Sequence, residues 1–253
     1  MIGYAPGASP LHRAHPYTPL AAAGALLLAA FAVTTPAPVG VVVLAAVALA
    51  LVGGVLGRVA RPAFLIALPT WAILLVIHGL LGHEPWGRVL GVRVSEAGLA
   101  RALVLGGRLT AILVAFLTVL AVVAPARLVE AMTARGAPFA RMFLLVSTLT
   151  LVPRLRERAA RILEAQQCRG LALGGSPAAR LRALVPLVLP LILGALMEVD
   201  EQVLALDARG VTSGARRTSL EPPPDTPGER ALRLGLALGV VSLFTARFAG
   251  AGL

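Results

Sequence analysis

The chain has 253 residues, of which 58% are hydrophobic, 14% charged and 4% aromatic; a soluble domain has about 45–50% apolar and about 25% charged residues. That balance excludes an ordinary soluble protein, and it excludes disorder, which requires low hydrophobicity. The net charge is +11 and all 23 basic residues are arginine, so neither a Walker A nucleotide loop nor a Schiff-base lysine can be built, and the single Cys168 rules out an internal disulfide, a Cys-only zinc site and an iron–sulfur cluster.

A membrane-spanning helix needs about 20 mostly apolar residues, within a range of about 17–25. In chain order, Leu20–Thr35 is 16 residues long and stops at Pro36 and Pro38. It begins too far into the chain, behind Arg13 alone, for a signal peptide. Val39–Gly57 is 19 residues without a charge, and Ala63–Leu81 is another 19 broken only by Pro69 and His78. Leu99–Ala124 carries Arg101 and Arg108, seven apart and therefore on one helical face. Arg101 is expected to snorkel outward, and Arg108 to pair within the bundle or with a partner. Ala231–Phe248 is a fifth candidate, with Arg233 and Arg247 at its ends.

The segments between the spans set an orientation. Pro125–Arg182 holds ten Arg against three Glu, and positive charge favours the cytoplasmic side. Arg58 and Arg61, in an expected tight link Arg58–Pro62, point the same way. The N-terminus, this link and the chain from Pro125 are therefore placed inside. Gly82–Ala97, with Arg88 and Arg93 balanced by Glu84 and Glu96 and with Trp86 as an interfacial aromatic, is placed outside. His78, His83 and Glu84 fall short of the converging ligands a metal site needs, so no metal is expected, and His12 and His15 are assigned no chemistry. Ala183–Met197 is ambiguous: an uncharged run of 15 residues with Pro186 and Pro190 suits a re-entrant helix, a buried helix or a short kinked span. Glu221–Glu229 reads EPPPDTPGE, an extended linker. The segment Gly170–Ser176 follows a helix and not a strand, so it is no phosphate loop.

Arg-Gly occurs three times, ending at Gly136, Gly170 and Gly210, about as often as 23 Arg and 26 Gly give by chance. The context says more. Residues 154–169 form a strong helical sequence without Pro or Gly, in which Glu157 and Arg161 are spaced to pair, and the helix meets a natural stop at Gly170. Residues 198–210 repeat the design. Each arginine, Arg169 and Arg209, is thus presented at a helix C-terminus, exposed for bidentate contact with a carboxylate or carbonyls. The alternative is that it only complements the helix dipole.

These pieces resemble the EcfT/CbiQ family, the transmembrane T component of the energy-coupling factor transporters that import vitamins and metal ions in prokaryotes. Tyr4, Pro6, Gly7, Ser9, Leu11 and His12 match its N-terminal pattern; Arg13, Pro16 and Leu20 continue it, with His15 in place of an acid and Pro19 in place of a lysine. Glu96, Gly98 and Arg108 are similar to the start of the family's fourth span, and Pro125, Leu128, Ala131, Gly136 and Pro138 to the opening of its cytoplasmic module. The family has Leu-Gly at the latter place, so Arg135 is not taken as a third coupling motif. Pro153, Arg154, Glu164, Ala165, Gln166, Arg169 and Gly170 match its first Ala-Arg-Gly signature, with Cys168 replacing the alanine as a small residue at a tight helix interface. Asp207, Ala208, Arg209 and Gly210 match the second intact.

The resemblance implies an all-α polytopic membrane protein with about five transmembrane helices and a cytoplasmic coupling-helix module. The expected division is 1–124 for four spans, 125–220 for the coupling module, 221–230 for the linker and 231–253 for the last span. It implies that two long helices carry Ala165, Gln166, Cys168, Arg169 and Gly170, and Asp207, Ala208, Arg209 and Gly210, into grooves of two cytoplasmic ABC ATPase subunits, identical or different, where the arginines meet acidic residues. Both motifs then face one side, which makes Ala183–Met197 part of the second coupling helix and not a span. A separate substrate-binding membrane S subunit is the other implied partner besides the lipid bilayer; nucleic acid, cofactor and catalytic residues are not expected. Two other classes compete. A conventional ABC importer permease has a Glu-Ala-Ala-x-x-x-Gly signature, echoed by Glu164, Ala165 and Gly170, but the Ile-x-Leu-Pro that should follow is missing. An intramembrane enzyme would need acids inside the spans, which contain none.

Overall fold

The computed structural model describes residues 4, 6–80, 87–89, 92–171, 176–211 and 224–250. The expected outer-loop residues His83, Glu84 and Trp86, most of the Gly170–Ser176 run and Glu221–Pro223 of the linker lie outside them. The elements are α1 (Pro10–Arg13), α2 (Tyr17–Ala32), α3 (Pro36–Val52), α4 (Leu56–Leu74) continued by a π-helical stretch (Leu75–Leu80), β1 (Gly87–Val89), β2 (Val92–Val94), α5 (Glu96–Val122), α6 (Pro125–Ala134), α7 (Phe139–Cys168), α8 (Pro177–Ala208) and α9 (Pro227–Phe248). They form two compact units, one of Met1–Ala131 with Pro222–Leu253 and one of Met132–Glu221. The protein is an all-α polytopic membrane protein. Its one departure among the described residues is the three-residue antiparallel ladder β1–β2, with Arg88 opposite Arg93, in a segment expected to be a plain loop.

The first unit gathers five apolar helices. Three of them, Leu56–Gly79, Glu96–Val122 and Pro227–Phe248, are long and apolar enough to cross a membrane, while α2 and α3 are shorter. Ser95 starts α5 by accepting a hydrogen bond from the Gly98 amide (3.1 Å), and Glu96 in the first turn suits the positive end of the helix dipole. Pro36 opens α3 at its first position, where no amide hydrogen is missed. The link to α4 differs from expectation. The chain reverses at Gly53–Gly54, where Gly54 takes φ +65°, a conformation open to glycine. Helix resumes at Leu56, so Arg58 and Arg61 sit in the opening turns of α4 with Pro62 inside it. Glycine, not proline, ends the preceding helix.

α5 is the central helix of this unit. Its buried Ala111, Val114, Leu117 and Ala121 join Val39, Ala46 and Ala50 of α3, Val59 and Ala63 of α4 and Ala30 of α2 in one cluster. Small residues let the helices approach closely, as in other membrane bundles. A Cβ on Gly106 would stand 2.8 Å from the Trp71 ring and one on Gly107 would stand 2.4 Å from the Val39 side chain. Trp71 Nε1 donates to Thr110 Oγ1 at 2.9 Å, which donates to the Gly106 carbonyl at 2.8 Å.

Helices α2 and α9 run parallel. At one end Glu229 accepts from the His15 amide at 2.8 Å and from Thr18 Oγ1 at 2.6 Å, and Arg233 donates to Thr18 Oγ1 at 3.1 Å. At the other end Arg247 donates to the Phe31 carbonyl. Arg108 of α5 reaches the same end of α2, donating from Nε to the Ala30 carbonyl at 2.7 Å and from Nη2 to the Val33 carbonyl at 2.9 Å. It therefore finds a partner within the bundle. Just before α9, Asp225 accepts from Arg233 at 2.5 Å and Arg230 at 3.2 Å. The hydrogen bond from Arg233, opposed by desolvation and reinforced by Arg230, lowers the Asp225 carboxyl to about 2.

The N-terminal pattern packs around one residue. His12 is buried; its Nδ1 lies 2.6 Å from Ser9 Oγ, Tyr4 meets the ring edge-on, and a Cβ on Gly7 would come within 2.9 Å of it. Arg127 of α6 donates to the His12 carbonyl. His15 is buried as well. Both histidines are structural elements of this end of the bundle.

Candidate coupling site

The second unit is built on α7 and α8. α7 runs unbroken through Pro153, and α8 runs unbroken from Pro177 to Ala208 through Pro186 and Pro190, so the ambiguous run Ala183–Met197 and the charged run after it are one helix. The two helices are tied where Glu198 accepts from Arg158 Nη2 at 2.8 Å and from Arg154 Nη1 at 3.1 Å. Gly194 makes room there: its missing Cβ would sit 3.2 Å from Arg158 Nη1. A charged recess lies on the side of this node lined by Glu157, Arg161 and Glu201. On the other side a mostly apolar groove of about 700 Å³ runs from Phe143 and Ser147 of α7 to Leu206 and Arg209 of α8. The beginning of α7 thus lies beside the end of α8, and the helices are antiparallel.

That direction separates the two Arg-Gly ends. Arg169 lies eleven residues beyond Arg158 and Arg209 eleven beyond Glu198. At 1.5 Å per residue each tip stands about 16 Å from the node, in opposite directions along the pair.

Each tip ends in the same way. Gly170 has φ +92° and Gly210 φ +69°. The Leu171 amide donates to the Gln166 carbonyl at 3.0 Å and the Val211 amide to the Leu206 carbonyl at 3.1 Å, the six-to-one bond of a glycine-terminated helix. The Arg135–Gly136 end of α6 is closed likewise, with Gly136 at φ +90° and the Ala137 amide on the Met132 carbonyl at 3.1 Å. Ala165, Cys168, Arg169, Gly170, Asp207, Ala208, Arg209 and Gly210 are exposed and Gln166 is half-buried. Among the described residues the guanidinium of neither Arg169 nor Arg209 makes a hydrogen bond or an ion pair.

Two expectations change. Cys168 is exposed and is not buried at a helix interface within this chain, because the last turn of α7 projects past the crossing. No ion pair joins Glu157 and Arg161 among the described residues; the ion pairs of α7 run from Arg154 and Arg158 to Glu198 of α8. The node itself was missed by sequence reasoning. Its signal was present in Arg154 and Arg158, like charges at i,i+4, which repel and call for an acid from elsewhere. Among the described residues, no three of His, Cys, Asp and Glu come close enough to hold a metal ion.

The family model CbiQ, described as cobalt transport protein, matches residues 7–220. The chain belongs to the CbiQ/EcfT family of energy-coupling factor transporter components. Curated relatives agree. The energy-coupling factor transporter transmembrane protein EcfT of Thermanaerovibrio acidaminovorans is 32% identical over 234 residues, 87% of this chain and 85% of the relative. The EcfT proteins of Bacillus subtilis (28% over 230 residues, 85% of each chain) and Thermosediminibacter oceani (24% over 259 residues, 97% of this chain and 96% of the relative) are similar along most of their length. Both Arg-Gly tips of α7 and α8 lie inside the span that matches the CbiQ/EcfT family.

Proposed function

We propose that this membrane component transmits the motion of two cytoplasmic ABC ATPase subunits to a substrate-binding membrane S subunit, in an importer of vitamins or transition-metal ions. The α7–α8 pair is the coupling module. The observation that carries this reading is the pair of exposed Arg-Gly tips, Arg169 and Arg209, about 16 Å on either side of one ion-paired crossing. Two equivalent arms directed oppositely suit two ATPase subunits better than one. Each arginine, with its neighbours Ala165, Gln166 and Cys168 or Asp207 and Ala208, seats in a groove of one ATPase and pairs bidentately with an acid there. Gly170 and Gly210 end each helix sharply enough to leave the guanidinium at the tip.

The subunit holds no catalytic residues and hydrolyses no ATP; it works as a lever. When the ATPases close, their grooves carry the tips, the angle at the Glu198 crossing changes, and a rigid-body movement follows. The N-terminus and the tips lie on the cytoplasmic side of the plasma membrane, in line with the arginine-rich stretch 125–182. Exposed Val188, Leu189, Ile192, Leu193 and Leu196 on α8 are covered by lipid or by the S subunit.

The test is the double substitution Arg169→Ala and Arg209→Ala in the assembled transporter. Loss of ATPase co-purification, or ATP hydrolysis uncoupled from uptake, is expected. Full uptake with an intact complex would overturn the coupling role.

A further inference from the structure

A second cluster of arginines lies in the first unit, far along the sequence from the coupling tips. Arg101 and Arg108 of α5 and Arg247 of the last turn of α9 line one cavity of about 380 Å³ at the C-terminal end of α2, together with Thr34 and the apolar Ala100, Val104 and Leu105. Among the described residues no carboxylate lines it. Arg108 is committed at two of its nitrogens to the carbonyls of Ala30 and Val33, and its guanidinium lies 5.2 Å from the Phe31 ring centroid. Arg247 spends one nitrogen on the Phe31 carbonyl. Arg101 is exposed, and its guanidinium makes no hydrogen bond or ion pair among the described residues. Carbonyl dipoles satisfy hydrogen-bond donors, but among the described lining residues no anion faces these three positive charges. Charge beside hydrocarbon is costly without a counter-ion.

We infer that this cavity seats the phosphodiester headgroup of an anionic phospholipid. A phosphate offers several oxygens to several guanidinium groups at once, with charge-assisted and bidentate hydrogen bonds. The apolar walls favour a lipid over a free ion. Depth agrees. α2 has 16 residues and α3 has 17, a rise of about 24–26 Å, which is short of a hydrocarbon core of about 30 Å. The bilayer meets such a mismatch by thinning or by drawing flanking groups to the interface, which brings lipid phosphates to the level of α2's last turn. α5 is longer and carries Arg101 past that level. Phe31, 47% exposed, offers an apolar flank to an acyl chain. The proposal uses none of the coupling residues, so it stands or falls separately from the coupling role.

Native mass spectrometry of the full-length protein in a non-ionic detergent tests it, with phosphatidylglycerol, phosphatidylcholine and inorganic phosphate as the probes. One phosphatidylglycerol should be retained in preference to phosphatidylcholine, and retention should weaken with salt. Arg101→Gln with Arg247→Gln should weaken that retention at least about tenfold, since a hydrogen bond to a charged group is worth roughly a tenfold change or more. Arg108 is kept so that α2 stays capped, and Arg101→Lys with Arg247→Lys should keep part of the binding. Arg58→Gln with Arg61→Gln, both exposed on α4, should leave it unchanged. Three results would overturn the proposal: equal retention by the glutamine variant, equal loss on substitution of Arg58 and Arg61, or displacement of the lipid by inorganic phosphate at matched concentration.

Discussion

Replacing Glu198 by alanine removes the one carboxylate of α8 that is ion-paired, among the described residues, with the two guanidinium groups side by side on α7. The two bonds lost are unequal. Arg154 is 58% exposed and its bond is 3.1 Å long, so it contributes at most about 0.5 kcal/mol. Arg158 and Glu198 are only 28% and 26% exposed and 2.8 Å apart, a half-buried charge-assisted bond worth about 1.5 kcal/mol. Repulsion between Arg154 and Arg158, released at i,i+4, adds a few tenths. The crossing should therefore weaken by about 2 kcal/mol, roughly a thirtyfold shift toward open arrangements of the pair. Cys168, the single cysteine and an exposed one, offers a natural spin-label site, and Ala208→Cys supplies the second. Each label lies ten residues past the node, so the backbones are no more than about 30 Å apart along the pair. Double electron–electron resonance should give one narrow distance in the unsubstituted background and a broad one with Glu198→Ala. Arg154→Ala should change it little, and a double-mutant cycle of Arg158 with Glu198 should return a coupling of about 1.5 kcal/mol in thermal unfolding. An unchanged distance distribution and unchanged stability in Glu198→Ala would refute the idea that this ion pair fixes the crossing.

Gly107→Leu should destabilise the first unit by several kcal/mol in a thermal-unfolding assay, because even a Cβ at this position comes within 2.4 Å of Val39 and overpacking commonly costs about 1–3 kcal/mol; Gly235→Ala, with open space around its Cβ, is the control and should be neutral. Trp71→Phe removes the bond to Thr110 (2.9 Å) and part of the indole packed on Gly106, so a loss above about 1 kcal/mol is expected, but below the about 3–5 kcal/mol of Trp71→Ala. Asp225 is held at about 2 when folded, below the ordinary carboxylate value of about 3.9. Its contribution is fully present above about pH 4 and lost as pH falls toward 2; melting temperature followed over that window should flatten in Asp225→Asn relative to the parent.

The apolar helices were legible because length and hydropathy suffice where the solvent is a bilayer. Helix ends were less so. Pro62 read as a break, yet α4 passes through it and the chain turns earlier at Gly54, since φ +65° is a conformation an L-residue seldom takes, whereas proline's φ is itself helical and its lost bond and crowding of the preceding turn are borne within α4. The π-helical stretch Leu75–Leu80 left no trace in periodicity. At the tips, Gly170 and Gly210 were readable as stops because the φ they need is local. The crossing was not. Glu198 meets Arg154 and Arg158 across 44 and 40 residues; the spacing of the two arginines signals that an acid is needed, but which acid supplies it follows from helix packing and not from a local pattern. Arg127 on His12, Glu229 on Thr18 and Arg247 on Phe31 were hidden for the same reason.

Those long-range contacts also explain what the arginines are for. A helix leaves its last carbonyls without partners, and in apolar surroundings an unpaired carbonyl is costly. Arg127 donates to carbonyls at the end of α1, Arg108 to those of Ala30 and Val33 at the end of α2, and Arg247 to that of Phe31 beside them. In each case the guanidinium of one helix caps the C-terminus of another. The fork of donors on a guanidinium reaches two carbonyls from one rigid plane, whereas a lysine ammonium is a compact point charge; a chain with 23 arginines and no lysine has only the first tool. Arg169 and Arg209 stand apart from this pattern. Their own helix ends are already closed by the backbone bonds at Gly170 and Gly210, and among the described residues their guanidinium groups cap no other helix. An exposed guanidinium beside a finished helix terminus contributes little to the fold, so substitution of this pair tests the proposed coupling role without a large cost in stability.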